Sequence, residues 1–233
     1  MSRVSLLLLA FALAFAVLFM GPAFLGSPFG PYPLMKWGDA LDLLTPLILI
    51  PLYWFILAAR QDRPLRAPVT LAFMVLAGLW VEGQGMHLAA NSIGHHLEGL
   101  AGSPVFQLAG FYDEVMSHYI WHAGVLGMSA LWVASHWRNP IDLRARDRIV
   151  VAAAGVVHGF LLFTILIEGQ TSLMVIPFAA LMTAFLLIGG RSRVLQQPVL
   201  AFVLISQVIA LLFTFGWGMY WGGLPEFSDV GII

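Results

Sequence analysis

Seven stretches of about 20 mostly apolar residues follow one another along this chain, and a polypeptide built that way has few folds open to it. They run over 4–25, 41–59, 68–94, 110–135, 148–168, 171–189 and 197–221. In hydrocarbon, every backbone N–H and C=O must find its partner within the protein, and a helix supplies those partners locally. The pattern predicts an all-α, polytopic integral membrane protein with seven transmembrane helices in a single domain, residues 1–233. Composition agrees: 10% of residues are charged, against about 25% in soluble domains. The run from 149 to 190 carries one carboxylate and is too long for one span, so it is broken at Glu168-Gly169-Gln170-Thr171-Ser172, a turn-like cluster.

Basic residues set the expected orientation. Arg3 precedes the first stretch. Arg60, Arg63 and Arg66 follow the second, Arg138, Arg144, Arg146 and Arg148 the fourth, and Arg191 and Arg193 the sixth. Lys36 is the one basic residue on the other side. Positive charge favours the cytoplasmic face, which predicts a cytoplasmic N-terminus and an outside C-terminus in a plasma (inner) membrane. The first stretch lacks a small-x-small cleavage site before Pro22 and is expected to be a retained span, not a signal peptide. Trp37, Trp54, Trp80, Trp132, Trp137, Trp217 and Trp221 are expected to form interfacial belts, and the ten methionines to be soft packing.

Against this apolar background the polar residues are concentrated. Glu82, His87, Asp113, Glu114, His118, His122, His158 and Glu168 fall in or at the ends of the third, fourth and fifth stretches. A charged group at mid-bilayer costs roughly 3 kcal/mol on insertion scales. With the predicted orientation and about 1.5 Å of rise per residue, these groups lie in one layer, the outer half of the membrane. Glu114, His118 and His122 have i, i+4, i+8 spacing and are predicted to share one helix face. Gln84, His87, Asn91 and His95 share a face of the third stretch, with Glu82 pointing elsewhere. Depth suggests two subsites: His87 with Glu114 and His118, and Glu82 with His122 and His158. The plainer alternative is that these side chains are interhelical hydrogen-bonding glue. Asp113 is expected to cap the helix start, and His136, beside Trp137 and Arg138, to be structural.

Four histidines and several carboxylates in one layer point to a functional centre. The expected metal ligands are His87, His118, His122 and His158, with Glu82 and Glu114 catalytic. There is no cysteine, so a resident metal takes nitrogen and oxygen ligands, which suits a divalent zinc or iron ion. Such an ion supports hydrolysis, with a spare carboxylate as base, or dioxygen chemistry by non-haem iron. The expected partner is membrane lipid or another hydrophobic small-molecule substrate. A net charge of −1 gives no reason to expect nucleic acid. Haem between paired histidines, for electron transfer, is a second class of answer. A proton or cation transporter is a third, weakened because the polar groups stop halfway across. The loop 95–110, with Gly99, Gly102 and Pro104, is placed to act as a lid. Span count and ligand type are similar to the seven-span membrane hydrolases of the alkaline ceramidase type. That family's histidine pair lies on the last span, whereas here Phe213 to Tyr220 holds none and His118 and His122 are on the fourth.

Overall fold

A computed structural model describes residues 2–59, 64–138, 144–194 and 196–232. The chain is mostly helical. The helices are α1 (Arg3–Met20), α2 (Trp37–Asp42), α3 (Leu44–Ala58), α4 (Ala67–Gly94), α5 (Pro104–Gly110), α6 (His118–His136), α7 (Ala145–Glu168), α8 (Ser172–Gly189), α9 (Arg191–Val194) and α10 (Pro198–Trp221). Among the described residues, six helical segments are long and apolar enough to cross a membrane: Arg3–Phe24, Trp37–Ala58, Ala67–Leu100, Ala145–Glu168, Ser172–Gly189 and Pro198–Trp221. This is a multi-pass membrane protein. The predicted stretch 110–135 is built differently. It opens with a π-helical turn, Phe111–Ser117, that runs into α6. Among the described residues the one departure from all-α structure is a small antiparallel hairpin, β1 (Pro28–Phe29) with β2 (Tyr32–Lys36).

Hydrogen bonds sort the helix ends into two groups. At one end the Ser2 N–H donates to Asp147 (2.6 Å), His136 Nε2 to the Ile56 carbonyl (3.0 Å) and Gln197 to the His136 carbonyl (3.3 Å). At the other end Gln84 donates to Asp42 (2.8 Å), the Phe227 N–H to Glu168 (2.8 Å) and His96 Nε2 to the Leu34 carbonyl of the hairpin (3.1 Å). Successive long helices therefore run antiparallel. Arg3, Arg66, Arg138, Arg144 and Arg193 all belong to the first end, while Lys36 belongs to the second. Arg60, Arg63 and Asn139 lie outside the described residues.

The core is aromatic. The Tyr53 and Trp132 rings stack with centroids 4.1 Å apart, and Phe11 meets both edge-on at 4.6 and 5.2 Å. Trp80, Phe15 and Phe202 close the cluster. Trp80 and Trp132, expected in an interfacial belt, are instead fully buried. The reason is that each finds its N–H an internal acceptor: Trp80 donates to Gln84 Oε1 (3.3 Å) and Trp132 to the Tyr53 carbonyl (3.0 Å). An indole whose polar edge is satisfied inside has no need of the interface.

Two glycine contacts bring the helices close enough for this core. Gly83 of α4 lies on Ser117 and Trp121, and Gly124 of α6 lies on Leu76 and Trp80. Gly155 and Gly159 do the same for α7 against α10. In lipid the hydrophobic effect does not drive helix association, so close packing of small residues carries that role.

Candidate functional site

The π-helical turn decides which carboxylate enters the site. In an α-helix Glu114 would share a face with His118; in a π turn the repeat is five residues, and Asp113 takes that place. Asp113 is buried and Glu114 is exposed. Ser117 Oγ donates to the Asp113 carbonyl and holds the widened turn. The expectation that Asp113 merely caps the helix is thus corrected: its Oδ1 sits 2.7 Å from His87 Nδ1, and its Oδ2 accepts from Asn91 Nδ2 at 3.2 Å. His87 and Asn91 are one turn apart on α4, so a single helix face meets both carboxylate oxygens, Asn91 by a hydrogen bond and His87 by a close contact.

His118 lies against this pair, its ring centroid 4.8 Å from that of His87. His122 follows one turn deeper, 6.4 Å from His118. The turn between α7 and α8 closes the far side. Gly169 has room for no side chain there, because a Cβ would sit 2.9 Å from His122 Cε1 and 3.5 Å from His118 Cγ. The Gly169 and Ile165 carbonyls approach His118 and His122 respectively. These are C-terminal carbonyls of α7, the negative end of its dipole. Asp42, from α2, completes the second-end cluster, accepting from both Gln84 (2.8 Å) and Thr45 (3.2 Å).

The hydrogen bonds fix the tautomers. His118 Nδ1 is 3.1 Å from the Glu114 carbonyl and His122 Nδ1 is 2.7 Å from the His118 carbonyl. A carbonyl only accepts, so each Nδ1 carries the hydrogen and each Nε2 presents its lone pair. His87 Nδ1 and Asp113 Oδ1, although 2.7 Å apart, do not meet in hydrogen-bond geometry, so this contact fixes no tautomer. His158 Nδ1 meets Ser206 Oγ at 3.2 Å, and that hydroxyl donates to the Phe202 carbonyl at 2.8 Å, so His158 too is an Nδ1 donor. The Nε2 atoms of His122 and His158 are buried and have no hydrogen-bond partner among the described residues. His136 is the reverse case: its Nε2 is used on Ile56, tying α6 to α3, as expected of a structural residue.

Of the residues expected from sequence, His87, His118 and His122 are thus brought together. His158 is not beside them. Its ring lies among Phe11, Phe15 and Phe202, with centroids 5.0–5.3 Å away. Glu82 is exposed on the opposite side of α4, and Glu114 is exposed in the middle of the π turn. Glu168 holds the C-terminal tail through Phe227. Among the described residues no three histidine or carboxylate side chains converge as a ready ligand set for a metal ion. Asp113, Asn91 and Asp42 were not singled out as site residues. Asn91 shared the His87 face in the sequence, but nothing in the spacing marked the π turn that selects Asp113.

Comparison with protein-family models, with curated proteins and with solved structures finds no match to this chain.

Proposed function

We propose that this chain is a seven-span membrane protein, N-terminus cytoplasmic and C-terminus outside, and that its second-end cluster is the centre of a metal-dependent enzyme acting on a lipid or other hydrophobic substrate. The observation that carries the reading is the shared tautomer. His118 and His122 each have Nδ1 occupied by a backbone carbonyl and Nε2 left as an electron-pair donor, and His87 lies beside them. That is the arrangement in which metal-ligating histidines are held, the second nitrogen fixing the ring while the first binds. Two imidazoles on one zinc ion, with Zn–N about 2 Å and a tetrahedral angle, place their ring centroids about 5 Å apart. The His87–His118 separation is 4.8 Å. The α7 carbonyls add negative potential on the side where a cation would lie.

A divalent zinc or iron ion would supply Lewis acidity or redox chemistry at this point. The protein's own contribution is orientation: Asn91 holds Asp113, whose carboxylate lies against His87. Glu82 and Glu114, exposed in the isolated chain, are less suited to a catalytic part than Asp113. Metal content of the purified protein tests the reading. Wild type should carry zinc or iron; His118→Ala and His122→Ala should each weaken binding at least about 10–100-fold. His136→Gln, which keeps a donor toward Ile56, should bind as wild type does. Metal-free wild type, or full occupancy in all variants, would leave the cluster as hydrogen-bonding glue.

A further inference from the structure

Beside the cluster, α4 and α5 leave a groove between them. Its volume is about 280 Å³. Its walls include Met86, Ala89, Ala90 and Ile93 from α4, Ala109 from α5 and the neighbouring Tyr112. The lining is almost wholly carbon, and the groove is open on one side. The wall residues are sequence neighbours of the polar ones: Met86 precedes His87, Ala90 precedes Asn91 and Tyr112 precedes Asp113. One step along a helix turns the side chain by about 100°, so the groove and the His87–Asn91 face lie side by side on α4.

We propose that this groove receives one hydrocarbon chain of a membrane lipid and presents that lipid's polar head to His87 and Asp113. The inference rests on the enzymatic reading above and names its substrate class: a lipid of the leaflet at the second end, entering sideways. Size argues for one chain, because small-molecule pockets run to roughly 300–1,000 Å³ and this groove falls just short of that range. A whole two-chain lipid does not fit. The lining argues for a hydrocarbon chain, since the groove offers almost no polar surface. A bilayer offers no hydrophobic gain for moving a chain from lipid to groove. Selective occupancy therefore depends on the head group meeting His87 and Asp113, so the groove positions and the cluster retains.

The test uses the full chain in phosphatidylcholine liposomes containing a trace of phosphatidylcholine with a mid-chain diazirine. After irradiation, peptides spanning 86–112 should be labelled about ten-fold more than the stretch 71–75 of the same helix, which exposes Leu71, Met74 and Val75, equivalent to about 1.4 kcal/mol. Ala109→Trp fills the groove and should remove that excess; Ile188→Trp, on an exposed face 87% accessible, should keep it. Excess unlabelled lysophosphatidylcholine should compete in wild type, a readout independent of any variant's folding. Equal labelling of 71–75 and 86–112 in wild type overturns the proposal, as does an excess that lysophosphatidylcholine leaves unchanged. Metal content measured on the same samples separates the two claims. Chain labelling without metal removes the metal reading and keeps the groove; metal without excess labelling removes the groove alone.

Discussion

Replacing Gly83 with alanine should damage this protein, although the same change two residues away should not. A Cβ at Gly83 would lie 2.5 Å from the Trp121 nitrogen, 2.7 Å from the Ser117 carbonyl oxygen and 2.7 Å from Trp121 Cβ. Two of these are backbone atoms, which cannot rotate aside. Carbon atoms settle at about 3.5–4.0 Å, so α4 and α6 must part by about 1 Å. Overpacking of this kind costs about 1–3 kcal/mol, only partly offset by the roughly 0.5–1 kcal/mol that alanine gains over glycine within a helix. The movement falls between the two elements that hold His87 and Asp113, so their 2.7 Å contact should open as well. Gly78→Ala and Gly85→Ala are controls on the same helix, since a Cβ at either meets nothing within 4 Å. They should be neutral or slightly stabilising. Reversible unfolding in mixed micelles measures all three. If Gly83→Ala is as stable as Gly78→Ala, the close α4–α6 approach is not what holds the site, and the argument fails.

Other expectations follow from the same geometry. Asp113→Asn should lower metal affinity about 10–100-fold while Glu114→Gln leaves it unchanged; equilibrium dialysis showing the opposite order would restore the assignment made from α-helical spacing. A cysteine placed at Ser103 should react with a membrane-impermeant thiol reagent added outside, and one placed at Asn139 should not, in a chain with no native cysteine; the reverse pattern would invert the topology. Glu226, in the tail beyond α10, is held above the usual carboxylate range by burial and then by the neighbouring Glu168 and Asp229 charges. A raised carboxyl pKa favours the docked tail below the ordinary carboxylate value, and that advantage is lost as pH rises through the raised one. Hydrogen exchange of residues 222–232 should accordingly quicken with rising pH across that window, beyond the intrinsic base dependence, and Glu226→Gln should flatten the extra change.

Much of the architecture was legible in the chain because its cause is local. Apolar runs of membrane length, such as 148–168 and 197–221, must form helices wherever they sit, since their backbone groups have no other partners in lipid. The break at Gly169 was legible for a similar reason, with polar and turn-forming residues interrupting an otherwise continuous run. The gathering of His87, His118 and His122 at one depth followed from counting residues along antiparallel helices. What counting could not reach was rotation. Whether Asp113 or Glu114 faces His87 depends on one extra residue in a single turn, held by a Ser117 hydroxyl bond to the Asp113 carbonyl. Whether Trp80 and Trp132 face lipid or core depends on acceptors supplied by the Gln84 side chain and by a carbonyl of another helix. His158 lies about two helical turns, roughly 10 Å, nearer the first end than the Ile165 carbonyl that approaches His122, so the depth expected for it is corrected: it sits in the aromatic core among Phe11, Phe15 and Phe202. Spacing within one helix is set by residue count, which the sequence states directly, whereas the levels at which two helices meet are set by packing. Azimuth is set by which helices pack against which glycine faces, and only the tertiary structure decides that.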